Sequence, residues 1–271
     1  GSVVSLFSGG NDRNGDWLGF TSSVALPAGI DPQGVSVGDL DQDGALDIAV
    51  ANRGDDSVTL IFQGVPAQGL FAQRATQLLP AGDAPTDVTL ADVDGDGLID
   101  IAVPALLPSD QTRSQIQIIF NNGVDINTPE EIETEEPDDP FILPGSDSPI
   151  GSNPLVPDPR ATVALLGTFD VDTDPREVVL ADLNNDGNAE IVTVNGDGNS
   201  ISVLVNNGSG GFAPAVSLDV YQAARLRRSI TFGDYDGDGD NDLSIVLDGA
   251  GGAGGDRVVR VYRNDLDGGQ I

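Results

Sequence analysis

Four nine-residue segments of this 271-residue chain carry carboxylates, or an amide in place of one, at relative positions 1, 3, 5 and 9, with glycine always at position 6. They are Asp39, Asp41, Asp43 and Asp47; Asp92, Asp94, Asp96 and Asp100; Asp182, Asn184, Asp186 and Glu190; and Asp234, Asp236, Asp238 and Asp242. So many carboxylates in nine residues repel one another unless a cation sits among them, and an all-oxygen donor set suits a hard ion that takes six to eight oxygens. Calcium fits better than magnesium, which demands a near-ideal octahedron and dehydrates reluctantly. The glycine at 6 permits the sharp turn that lets position 7 (Ala45, Leu98, Asn188 and Asp240) offer its backbone carbonyl. An EF-hand loop would continue to a carboxylate at position 12, but here that position holds Val50, Val103, Thr193 and Ile245, residues that favour strands. One Asp-Gly cluster is ordinary turn chemistry; four in register predict four Ca²⁺ sites.

The loops are the landmarks of an internal repeat. Their first residues stand at 39, 92, 182 and 234, at intervals of 53, 90 and 52, and the long interval contains an extra stretch at 124–159. In each repeat a short apolar strand precedes the loop (34–38, 87–91, 177–181, 229–233) and a second follows it (46–50, 99–103, 189–193, 242–246). A third comes after a turn (57–62, 114–120, 200–205, 257–262), and a weaker fourth closes the first three repeats (73–79, 162–168, 215–220). Alternation and β-branching mark all of them as strands. Four strands in about 52 residues make one antiparallel sheet with no core of its own, and such sheets bury their faces by stacking radially. The expected fold is therefore all-β, built of propeller blades; a two-sheet sandwich gives no reason for a loop to recur after the same strand. Residues 3–7 and 22–26 read as the third and fourth strands of a preceding blade, and the last repeat lacks a fourth strand. Three whole blades with partial blades at both ends suggest a fragment of a longer array or an unusual closure, in which 22–26 would complete the last blade.

This pattern resembles the FG-GAP/VCBS repeats of integrin-like β-propellers, whose blades carry a D-x-[DN]-x-D-G-x-x-[DE] loop between their first two strands. Gly29 to Pro32 and Gly82 to Pro85 before the first strand, and Asn206 to Phe212 after the third, add to the likeness. The Gly-x-x-Pro lead-in becomes Asp172 to Pro175 in the third repeat and is missing before the fourth. The resemblance implies a calcium-stabilised extracellular or cell-surface module for binding, adhesion or structure, with a protein or glycan partner that the sequence does not name.

Composition narrows the function further. A net charge of −32 from 44 acidic residues against 12 arginines, with no lysine, argues against nucleic acid or an anionic membrane as partner. The absence of cysteine and histidine removes thiol nucleophiles, disulfides, zinc-thiolate sites and the Ser-His and Cys-His arrangements. No run is long and apolar enough to be inserted in a membrane as a helix. A non-catalytic role follows, with a polysaccharide-active propeller domain or a lectin as the alternatives, and exposed blade edges are expected to invite self-association. The start Gly-Ser without Met looks like a processed or excised piece, and lysine-free acidity also fits a salt-adapted source. The stretch 124–159 reads as an acidic, Pro-rich solvated excursion, or a partner-contacting one anchored by Phe141, Ile142 and Leu143. Arg53, Gly54 and Asp55 spell an integrin-recognition tripeptide in a turn whose chemistry already explains it. Trp17 is expected to cap the N-terminal turn, and Arg225, Arg227 and Arg228 to form internal ion pairs.

Overall fold

The computed structural model describes residues 2–64, 72–107, 110–121, 163–196, 200–220, 225–248 and 257–265. An N-terminal hairpin joins β1 (Val3–Asn11) to β2 (Trp17–Pro27). Then come β3 (Pro32–Gly38), β4 (Asp47–Asn52), β5 (Ser57–Gly64) and β6 (Ala72–Pro80), paired in that order as one antiparallel sheet. The second sheet is β7 (Thr89–Ala91), β8 (Asp100–Leu107), β9 (Asp110–Asn121) and β10 (Val163–Val171); the third is β11 (Pro175–Ala181), β12 (Glu190–Asn195), β13 (Ser200–Leu204) and β14 (Val216–Asp219). The last has three strands, β15 (Arg225–Gly233), β16 (Asp242–Asp248) and β17 (Arg257–Tyr262). These are propeller blades, with the blade count and partial ends that the repeat predicts. The innermost strands β3, β7, β11 and β15 follow one another side by side. The stretch 124–159 lies outside the described residues, as do the side chains of Arg225, Arg227 and Arg228.

Among the described residues every hydrophobic cluster lies between two neighbouring sheets, so the second and third blades are packed on both faces. Ile48 and Val50 on β4 pack with Ile61 against Leu26 of the hairpin, while Ala49 and Ala51, pointing the other way, pack with Leu60 against Val88, Ile101 and Val103 of the second blade. Between the second and third blades Ile116 and Ile118 meet Val178, Ile191 and Leu204, and between the third and fourth Val192 and Val194 meet Ile230 and Ile245. This explains the unbroken burial of β4 and β12, whose every residue is inaccessible. Such strands read as continuous apolar runs because neither face meets water.

Strand β2 pairs with β1 and does not complete the last blade, so β17 is an edge among the described strands. The hairpin instead stacks on the first blade through Leu26, Val4 and Ala28. Trp17 closes the turn of that hairpin opposite Asn11, 68 % exposed and edge-on to Phe20 with ring centroids 5.9 Å apart.

The lead-in turns position the first strand of each blade. Gly29 donates its N–H to Asn52 Oδ1 (3.0 Å), and a Cβ there would lie 2.6 Å from Asn52 Cγ, so close approach alone demands glycine. Gly82 makes the corresponding bond to Gln117 Oε1 (2.7 Å). The residue before proline has positive φ in all three turns (Asp31 54°, Ala84 51°, Asp174 60°), so the third repeat keeps the turn although it lacks the glycine. It does so with a defect: the Asp172 N–H goes to Ser202 Oγ (3.2 Å), and Asn195 Oδ1, the counterpart of the Asn52 acceptor, is buried without a partner.

Since the cores lie between blades, emptying one should loosen the whole stack. Leu60→Ala and Ile118→Ala are each expected to cost about 2–5 kcal/mol, whereas Val259→Ala, on an exposed face of β17, should stay within about 0.5 kcal/mol. Urea midpoints read the difference, and equal midpoints for all three would contradict the stacking.

Candidate metal centres

All four nine-residue loops connect the first and second strands of a blade in one register. The residue before position 1 pairs with position 9 in each: Gly38 with Asp47, Ala91 with Asp100, Ala181 with Glu190 and Gly233 with Asp242. The backbone turns through two left-handed residues, at position 4 (Gln42, Gly95, Asn185, Gly237) and at the position-6 glycines, whose φ values are 85°, 88°, 90° and 97°. A Cβ at position 6 would pay the left-handed strain every time, which is why the glycine never varies.

Within that frame the carboxylates hold the loop's own N–H groups. Position 1 accepts from the glycine at 6 (Asp39 3.0 Å, Asp92 2.9 Å, Asp182 2.9 Å, Asp234 3.1 Å). Position 3 accepts from the N–H of position 5 (Asp41 3.2 Å, Asp94 3.2 Å, Asn184 2.9 Å, Asp236 3.3 Å). Position 5 accepts from position 7 (Asp43 2.8 Å, Asp96 2.8 Å, Asp186 2.8 Å, Asp238 3.0 Å). These bonds gather the side chains: oxygens of Asp39, Asp41 and Asp43 lie within 4.8 Å of one another, as do those of Asp92, Asp94 and Asp96, and those of Asp234, Asp236 and Asp242. In the third loop the amide of Asn184 takes a carboxylate's place and donates to Glu190 Oε1 (3.3 Å). Of the position-7 residues, Ala45, Leu98, Asn188 and Asp240 all give their N–H to position 5.

Position 9 does something the sequence did not disclose. Its carboxylate is buried and takes one N–H from position 2 of the loop and, in three blades, a second from the C-terminal end of the third strand or just past it. Asp47 accepts from Leu40 (2.9 Å) and Gln63 (2.8 Å), Asp100 from Val93 (2.9 Å) and Asn121 (2.8 Å), and Asp242 from Tyr235 (2.9 Å) and Asn264 (2.8 Å). Glu190 accepts from Leu183 (2.7 Å), with the Asn206 N–H also bearing on it. Burial pushes Asp47 and Asp100 up to about 6 against the pull of those N–H donors, and the neighbouring loop aspartates push further. Burial also raises Asp94 and Glu190. Asp242 is held low, first by the Asn264 and Tyr235 N–H groups, and Asp186 by the Asn188 N–H.

The donor set suits a hard cation by two observations. Each cluster is oxygen throughout, and Asp39 Oδ1 is buried with no hydrogen-bond partner beside Asp41 and Asp43. An ionised oxygen in that state is costly unless a cation meets it. The fourth loop differs, because Arg263 reaches it: Nη1 lies 3.2 Å from Asp236 Oδ2 and Nη2 2.6 Å from Asp265 Oδ1. Asp265 also joins Asp236 and Asp238 in a second acidic group. The Arg53–Asp55 tripeptide is tied down as a turn. Asp55 accepts from the Ile30 N–H (3.0 Å) and the Ser57 hydroxyl (2.8 Å), and Gly54 donates to the Ile30 carbonyl (2.8 Å).

Sequence reasoning missed Asn121 and Asn264, and took Asn206 only as part of a turn; all three stand at or just past the ends of the third strands. Each side chain donates to a loop carbonyl of the preceding blade: Leu40 (2.7 Å), Val93 (2.9 Å) and Leu183 (2.8 Å) respectively. Their recurrence after the third strand was the available signal.

Residues 39–103 and 182–245 match the family model described as FG-GAP-like repeat. Each segment runs from position 1 of one loop through the whole of the next loop and into the strand that follows it, so the two segments take in all four loops. No curated protein matches the chain. Among solved structures the chain is similar to the Tc holotoxin pore of Photorhabdus luminescens, at 14% identity and a TM-score of 0.36, over 96% of this chain and 12% of that one.

The raised carboxylates set a pH dependence for the cation-free fold. Asp47 and Asp100 keep their protons up to about 6 when folded and release them near 3.8 when unfolded, so their contribution is full below the lower value and lost as pH rises through the higher one. Asp186 and Asp242 work with the opposite sign, contributing above 3.8 and losing it as pH falls further. In chelator, the melting temperature should fall between about pH 4 and about pH 6.5, and the Asp47→Asn, Asp100→Asn double variant should flatten that slope. An unaltered slope in the double variant would assign the effect elsewhere.

Proposed function

We propose, from the premise that this is a chain of FG-GAP-like repeats, that it is a calcium-stabilised β-propeller module of an extracellular or cell-surface protein, serving binding, adhesion or structure rather than catalysis. The observation that carries the calcium reading is the buried, unpartnered Asp39 Oδ1 inside an all-oxygen cluster that recurs in register. Positions 1, 3 and 5 would hold the ion, with position 7 offering its carbonyl and position 9 closing the loop around it. Calcium would supply structural charge neutralisation, joining the first two strands of each blade and adding to folding free energy, because an unfolded chain cannot present the same cage.

A scaffolding role is supported by how the carboxylates are used. Those of the loops accept backbone N–H groups, and the described residues that line the groove of about 860 Å³ beside Phe169 and Phe212 include no Arg or Tyr. Asp172 on its rim already accepts the Ser200 hydroxyl at 2.6 Å. The open edge of β17 supports self-association or pairing with a further blade. The protein or glycan partner is to be sought by glycan array and by sizing with and without calcium.

Calcium at a hundred times the dissociation constant adds about 2.7 kcal/mol per site, so EGTA should lower the melting temperature by many degrees. An unchanged melt sinks the calcium reading. The fourth loop should fill last, because Arg263 already balances Asp236. Arg263→Gln is expected to strengthen calcium binding there, read as the weakest phase of a calorimetric titration; a weaker last phase would reverse the assignment.

A further inference from the structure

We propose that the four loops form one coupled series, in which Asn121, Asn206 and Asn264 act as positioning residues that transmit the ordering of one loop to the next. This rests on the calcium reading above and goes beyond it, since a set of separate structural sites would need no such link.

Each of the three asparagines touches two consecutive loops. Its side-chain NH₂ donates to the position-2 carbonyl of the preceding blade's loop, at 2.7 Å for Leu40, 2.9 Å for Val93 and 2.8 Å for Leu183. The same NH₂ donates to the position-8 carbonyl of its own blade's loop, at 3.2 Å for Ile99, 3.0 Å for Ala189 and 3.3 Å for Asn241. Its backbone N–H serves the position-9 carboxylate of that same loop. The peptide whose carbonyl side it grips is in turn adjacent to the N–H that the preceding position-9 carboxylate holds, at Leu40, Val93 and Leu183. A hydrogen-bonded path therefore runs from Asp47 through Leu40 and Asn121 to Asp100, through Val93 and Asn206 to Glu190, and through Leu183 and Asn264 to Asp242.

A second set of bonds ties the loop tips directly. Gln42 Nε2 donates to the Gly97 carbonyl (3.2 Å), Asn185 Nδ2 to Asp240 Oδ1 (2.5 Å) and Asn241 Nδ2 to the Asp182 carbonyl (2.8 Å). Without a cation the clustered carboxylates repel and each loop loosens. A cation that orders one loop fixes its position-2 peptide, and the shared asparagine then holds the neighbouring loop nearer its binding geometry, so the neighbour loses less conformational freedom on binding. That is positive coupling through a contiguous network, strongest between adjacent loops.

The test is calorimetric titration of calcium into the chelator-stripped full chain, for the wild type, Asp94→Ala, Asn206→Ala and the control Asn207→Ala, whose side chain stays within its own turn. The wild type and the control should bind with a Hill coefficient above 1, and Asn206→Ala should bring it towards 1. Asp94→Ala removes an oxygen donor altogether, where an asparagine would only copy Asn184 of the third loop; it spares the clasps and should lose one equivalent and weaken the remaining sites by about five-fold or more. Four equivalents taken up by the wild type with a Hill coefficient of 1, and unchanged affinity at the sites left in Asp94→Ala, would overturn the coupling while leaving the calcium reading standing. No uptake of calcium at all would remove both.

Discussion

A buried carboxylate shared between two backbone N–H groups is the joint on which each blade turns. Asp47, Asp100 and Asp242 each hold the second residue of their loop with one oxygen and, with the other, a residue at or just past the C-terminal end of the third strand. That one side chain therefore fixes where the loop starts relative to where the blade's central strands end. Two charge-assisted bonds to amides are strong by protein standards, but burial opposes the charge that makes them so. The conflict is visible in the raised position of Asp47 and Asp100. A cation in the adjoining cluster would resolve it, since the nearby aspartates would then no longer push these carboxyl groups towards protonation.

The stack follows from the joint. Because a blade has no core of its own, it is stable only against neighbours, and the second strand must be apolar on both faces to serve two of them. At either end of the described stack this leaves apolar faces uncovered: Val35 and Val37 on β3, and Val259 and Val261 on β17. The hairpin β1–β2 shields the outer part of the first face through Leu26 but not the part over β3. The loops, all on the same connection of each blade, fall side by side as a geometric consequence of the stacking.

The sequence made the loops and strands legible because both are carried by short, strict spacings. Carboxylates at 1, 3, 5 and 9 with glycine at 6 mark a loop, and two-residue alternation marks a strand. What escaped was whatever depends on partners far along the chain. Asn121 reaches Leu40 across 81 residues, and Asn206 reaches Val93 across 113. A lone asparagine after a strand announces no such bond, because the same residue suits any turn. The second duty of position 9 was hidden for the same reason: a carboxylate that serves amides and one that serves a metal look alike in sequence. The altered lead-in of the third repeat was visible as Asp172, but its consequence was not. The turn survives through the left-handed Asp174, while the missing contact reappears as an orphaned oxygen on Asn195.

The fourth blade shows what the loop requires in electrostatic terms. Where the second and fourth-blade clusters are compared, each gathers three aspartate oxygens within the same 4.8 Å, yet only the fourth has a guanidinium against one of them. The residue in that place is Phe120 in the second blade and Phe62 in the first, both packed with the intersheet cores, whereas Arg263 stands on the blade whose outer face has no neighbour among the described strands. A solvent-facing arginine is hydrated and screened there, so its pairing is weak; it lowers the repulsion without enclosing the carboxylates as a coordinating ion would. The terminal blade thus keeps the loop geometry, shared joint included, at lower local charge. The guanidinium beside Asp236 leaves that geometry in place, because the fourth loop keeps the same carboxylate-to-backbone bonds as the others.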